Sequence, residues 1–143
     1  MPAADAILDL GDFDAVGVAA EIVVALRVHA IQAGVDAAAT VHAPDGWQRV
    51  VVTARSSGHV VLSVRYAELT PSRWNNVAEA FARQEWDLDD DGAGVTRRFP
   101  PGSEPTSAAF ELLAAATVAG APAGRREVTA VDATGAPVAL TSG

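Results

Sequence analysis

Alternation of hydrophobic and polar positions is clearest between Trp47 and Tyr66, where it predicts a β-hairpin. One arm, Gln48 to Arg55, is rich in β-branched residues, which suit a pleated, half-buried surface. In the other arm Val60, Leu62, Val64 and Tyr66 fall on one face, and His59, Val61, Ser63 and Arg65 on the other. Ser56-Ser57-Gly58 joins the arms, with Gly58 able to take the positive φ that such a loop needs. A hairpin alone is marginal in water, so helices must cover its apolar face.

The flanking chain supplies them. Val16, Ala19, Ile22, Val23, Leu26, Ala30 and Ala33 recur at helical spacing, predicting a helix capped by Asp12 or Asp14 and stopped by Gly34. Ala37 to His42 reads as a strand, and the Pro44-Asp45-Gly46 turn leads from it into the hairpin, giving a three-stranded meander. Thr70-Pro71 opens a second helix ending near Glu85, with Trp74, Val77, Ala78 and Phe81 on its apolar face. Trp86-Asp87-Leu88 and Val95 to Phe99 read as two strands around an acidic turn. Pro105 opens a third helix through about Ala119, with Ala109, Leu112, Leu113 and Ala116 on one side. Arg126 to Asp132 reads as one more strand.

The expectation is an α+β fold: an antiparallel sheet of about five strands packed with three helices, in the order α-β-β-β-α-β-β-α. A single domain spans residues 1–143, with its core at about 14–132 and loose ends at 1–11 and 133–143. A chain of this length can bury roughly two-thirds of its unfolded surface. Half of the residues are hydrophobic, but Ala supplies much of that share, so the core is thin and burial in a dimer interface gains plausibility. The net charge of −8 argues against a nucleic-acid backbone as partner. All ten basic residues are Arg, which reads as a compositional habit rather than a site. Cys is absent, which excludes disulfides, thiolate metal sites and Cys nucleophiles. No signal peptide is expected at the N-terminus, and no run is expected to reach the length of a membrane span, so the chain reads as cytoplasmic.

Candidate chemistry is sparse. Asp87-x-Asp89-x-Asp91-Gly92 matches the first half of an EF-hand calcium loop. The twelfth position, a bidentate Glu in that motif, is Arg98, and the flanks read as strands; a solvated acidic turn is expected, and no metal site. His29, His42 and His59 share no ligand spacing. Ser56-Ser57-Gly58 is not a nucleophile elbow, and no phosphate-binding glycine loop is present. Glu68, Glu79, Glu85, Glu104 and Glu111 form no assignable acid–base pair. No catalytic residue and no cofactor are expected. Arg49, Arg55 and Arg65 stand on the polar side of the hairpin, with Arg97 and Arg98 on a later strand, and suggest binding. Trp47, Trp74 and Trp86 read as anchors of the core.

The order helix, three strands, helix, two strands, helix resembles the type III secretion chaperone-like superfamily, including its Tir-chaperone-like and TY-Chap peptide-binding branches. The residues carrying the resemblance are Gly46-Trp47 before the hairpin, the Thr70-Pro71 helix with Trp74 and Phe81, then Glu85-Trp86 and Val95 to Pro100. The family pattern has Gly where this chain has Glu85, and the strand after the third helix is a second departure. The resemblance implies a non-enzymatic, secretion-associated homodimer that holds an extended client segment on apolar patches. The patch residues expected on that basis are Val51, Val61, Trp74 and Phe81. A structural or regulatory dimerisation domain is one alternative. A small-molecule or metal-binding enzyme using His42, His59 and the Asp87–Asp91 carboxylates is the other.

Overall fold

The computed structural model describes residues 6–10, 14–43, 48–66, 70–88, 94–117 and 125–140. Its elements are β1 (Ala6–Asp9), α1 (Ala15–Ala33), β2 (Ala37–His42), β3 (Gln48–Ala54), β4 (Val60–Tyr66), α2 (Pro71–Arg83), β5 (Asp87–Leu88), β6 (Gly94–Phe99), α3 (Pro105–Thr117) and β7 (Arg125–Asp132). The fold is α+β, as expected, with seven strands in place of about five. All pairings are antiparallel, in the order β1-β7-β2-β3-β4-β6-β5.

The central hairpin forms in the expected register, with Val52 opposite Leu62 and Val50 opposite Val64. Gly58 takes φ +99°, and its N–H donates to the Arg55 carbonyl at 2.9 Å. Strand periodicity turns Val50, Val52, Leu62 and Val64 inward, where all are buried. Arg49, Val51, Thr53, Val61, Ser63 and Arg65 face outward.

The sheet has one covered face. α1 and α3 pack side by side on it, and α2 adds Val77 and Phe81 to the same core near β5. α1 buries Ala15, Ala19, Ile22, Val23, Leu26 and Ala30, whose spacing makes one stripe. Gln48, buried at the end of β3, donates to the Tyr66 hydroxyl at 3.2 Å and the Ala115 carbonyl at 3.0 Å, tying α3 to the sheet. Burial pushes the Tyr66 phenol up from its ordinary pKa of 10.0, partly offset by that Gln48 bond. Among the described residues no helix covers the opposite face, where alternate side chains are half-buried or exposed.

Four expectations are corrected. First, residues 6–9 are not a loose lead-in: Ala6 and Leu8 are buried, and β1 pairs with the first half of β7. Second, residues 133–140 are not a loose tail. Thr134 and Gly135 reverse the chain, and Val138 then donates to the Ala130 carbonyl at 3.2 Å, beyond the stretch of β7 that β1 pairs. Val138 and Leu140 end in the core. Third, the Asp14 side chain makes no capping bond to α1; the turn closes through Val18 N–H to the Asp14 carbonyl at 3.2 Å. Fourth, α1 is, by length and composition, long and apolar enough to cross a membrane, contrary to the sequence reading. In this fold that apolarity serves both the core and an exposed strip. The Asp12 cap and the turn at Pro44–Gly46 lie outside the described residues.

Candidate functional site

A groove of about 710 Å³ runs along the outer side of α1. Its long wall is Ala20, Val24, Ala25 and Val28 of α1, with Glu21, His29 and Gln32 at its polar margins. Pro105 and Thr106 at the start of α3 form a second wall, and Ala139 and Leu140 a third. Val24 and Val28 are 44% and 47% exposed, and Ile31 continues the strip at 63%. Spacings of four and three place these side chains in one line on the helix. Phe110, one turn beyond Thr106 on α3, is 62% exposed. A mostly apolar concavity of this size with a few polar groups is the usual form of a ligand site.

Two polar contacts fix the walls. The Arg27 guanidinium donates through Nη1 to the Ser103 carbonyl at 2.9 Å, holding the approach to α3 against α1. His29 Nε2 lies 2.9 Å from Asp132 Oδ2, linking α1 to the end of β7. The other Asp132 oxygen accepts from the Thr134 hydroxyl at 2.5 Å and from the Thr134 and Ala136 N–H groups at 2.9 and 3.1 Å. The Thr134 hydroxyl, His29 and these backbone donors hold the Asp132 carboxyl well below its ordinary pKa of 3.8, outweighing the cost of desolvation. Asp132 thus shapes the turn that places Ala139 and Leu140, and His29 locks that turn to the helix.

The residues expected to form a peptide patch do not come together. Val51 and Val61 are half-buried on the helix-free face, on adjacent strands and diagonal to one another, since Val51 faces Ser63 and Thr53 faces Val61. Trp74 is half-buried on α2, edge-on to Tyr66 with ring centroids 6.1 Å apart. Phe81 is 1% exposed, packed against Trp86 at 4.9 Å, and offers no contact surface. Its helical spacing from Trp74 and Val77 marks a core stripe, and the sheet consumes it.

The other candidates also separate. His29 lies on the helical side and His42 on the helix-free face, bonded to Thr129 Oγ1 at 3.0 Å. His59 sits at the hairpin loop, 2.9 Å from Ser57 Oγ. Among the described residues no group of three potential metal ligands forms. Asp87 is exposed and 4.0 Å from Arg98, while Asp89, Asp91 and Gly92 lie outside the described residues, as do Trp47 and Glu68. Arg97 and Arg98 do not share a surface, because adjacent strand residues point oppositely. Arg97 turns inward, lies 5.4 Å over the Phe99 ring, donates to the Gln84 carbonyl and stands 3.6 Å from Glu111. Glu111 also accepts from Trp86 Nε1 at 3.1 Å, so this carboxylate joins α3 to the buried Trp86 and to the half-buried Arg97.

The groove was missed because its outer wall belongs to the same helix as the core stripe. The signal was present: Val24, Val28 and Ile31 are large apolar residues off the stripe that faces the sheet. In comparisons with known proteins, no family model, curated protein or solved structure matches the chain.

Proposed function

We propose that this protein is a non-enzymatic, chaperone-like peptide-binding module that takes an apolar client segment along α1. The observation carrying this reading is the groove itself, with Val24 and Val28 presented to solvent between fixed walls. An amphipathic client helix would lay its apolar face against these side chains, with Glu21, Gln32 and Thr106 available to polar groups at the margins.

Two features support the resemblance to the secretion chaperones. The order α-β-β-β-α-β-β-α is present between β1 and β7. Glu85, standing where that family has Gly, takes φ +68°, a backbone conformation suited to glycine. In this reading the groove replaces Val51, Val61, Trp74 and Phe81 as the contact surface. The second reading, a dimerisation domain, is favoured by Ile31 and Phe110, which stand exposed and apart from the groove lining; there a second copy covers the strip.

The test is fluorescence anisotropy with labelled amphipathic helical peptides, run on the full chain and on Val28→Asp, beside light scattering of both. Saturable binding that falls at least about tenfold in Val28→Asp supports the peptide reading. The substitution is at an exposed site, so its effect on stability should stay within about 0.5 kcal/mol. A dimer that binds no peptide and becomes monomeric in Val28→Asp supports the second reading. A monomer that binds no peptide refutes both.

A further inference from the structure

The charged side chains of the groove walls are unevenly committed. α1 contributes Glu21, Arg27 and His29, α3 contributes Glu111, and the segment from Ala133 to Leu140 contributes none. Arg27 is half-buried and donates to the Ser103 carbonyl at 2.9 Å. His29 is held by Asp132 at 2.9 Å. Glu111 accepts from Trp86 Nε1 at 3.1 Å and stands 3.6 Å from Arg97. Glu21 differs from all three. It lines the groove, is exposed, and among the described residues has no hydrogen-bond or ion-pair partner. Helical spacings of three and four set it beside Val24 and Ala25, with Val28 one turn further on.

A second source of charge is the amino-terminal end of α3, where Pro105 and Thr106 form a wall. The first N–H groups of a helix carry partial positive charge, but Glu104 stands immediately before Pro105 and offsets it. Arg49, Arg65, Arg98 and Arg125 belong to the helix-free face, across the sheet from the groove. The net charge of −8 adds a long-range attraction for cations. Resting on the peptide reading of this groove, we propose that its client is a cationic amphipathic helix, with Lys or Arg flanking the apolar stripe where it passes Glu21. A Lys stem can lie along Val24 and Val28 while its ammonium reaches the Glu21 carboxylate. An exposed ion pair adds little affinity; the role of Glu21 is selection, because an acidic flank placed there is repelled.

The experiment is fluorescence anisotropy on the full chain with two labelled helical peptides that share one Leu-rich stripe, flanked by Lys in one and by Glu in the other. At about 0.02 M salt the Lys peptide should bind at least about tenfold tighter than the Glu peptide, and the advantage should shrink at about 0.3 M. Glu21→Gln should weaken the Lys peptide about two- to fivefold. Glu79→Gln, the same charge change on α2 in a residue already paired with Arg83, should leave it unchanged. Equal affinity for the two peptides would overturn the inference and leave the groove reading standing, whereas no binding of either would overturn both. Equal effects of Glu21→Gln and Glu79→Gln would trace the preference to net charge alone and overturn the role of Glu21.

Discussion

Replacing Glu85 by glycine should stabilise this protein, although the substitution removes a side chain. α2 ends in a Schellman motif: Trp86 N–H donates to the Phe81 carbonyl at 3.1 Å, and Glu85 N–H to the Ala82 carbonyl at 3.1 Å. The apolar contact that accompanies this motif is the Phe81–Trp86 ring pair. The motif requires a left-handed residue at Glu85, and φ is +68° there. In that region a Cβ crowds the following carbonyl, costing roughly 1–2 kcal/mol. Glycine removes the clash but loses more backbone freedom on folding, about 0.5–1 kcal/mol. The net gain for Glu85→Gly then spans about 0–1.5 kcal/mol, centred at about 0.5–1 kcal/mol. With a urea slope of about 2 kcal/mol/M, the midpoint rises by roughly 0.25–0.5 M. Glu85→Ala is the control, since it keeps the Cβ and should stay within about 0.5 kcal/mol of wild type. Equal midpoints for the glycine and alanine variants would refute the strain argument.

Phe81→Ala should cost about 3–5 kcal/mol in urea unfolding, as expected for a fully buried aromatic side chain, and a loss below about 1 kcal/mol would return Phe81 to the surface. Asp132→Asn should lower stability at neutral pH and flatten its fall in acid. The folded carboxyl has a lower pKa than the unfolded value of 3.8, so between the two the unfolded chain binds the extra proton. The stabilisation is therefore complete well above pH 3.8 and is lost as pH falls toward the depressed folded value. Urea midpoints at about pH 7 and about pH 3 should show the gap between wild type and variant narrowing in acid; a constant gap would exclude the linkage.

Local signals determined much of this fold. The period-two alternation from Gln48 to Tyr66, the Thr70-Pro71 helix start and the Gly34 stop each correspond to what the chain forms. They were legible because their causes lie within a few residues: side-chain alternation, a Thr70 hydroxyl accepting from Arg73 N–H at 3.3 Å, a glycine at φ +71°. What the sequence alone did not show depends on partners distant along the chain. β1 is four residues long and is strand only because β7 returns beside it, with more than a hundred residues between the two. The turn after Asp132 closes through bonds within a few residues, but it is anchored to the fold by His29, a residue of α1 more than a hundred positions earlier. Which apolar side chains are core was likewise a tertiary decision. Phe81 and Val28 are both apolar helix residues, yet the sheet covers one and leaves the other in a groove, because only packing selects which stripe of each helix is turned inward. On the helix-free face the same logic holds: His42, Arg49 and Arg65 are scattered in sequence, and strand register alone sets them on neighbouring strands opposite one another.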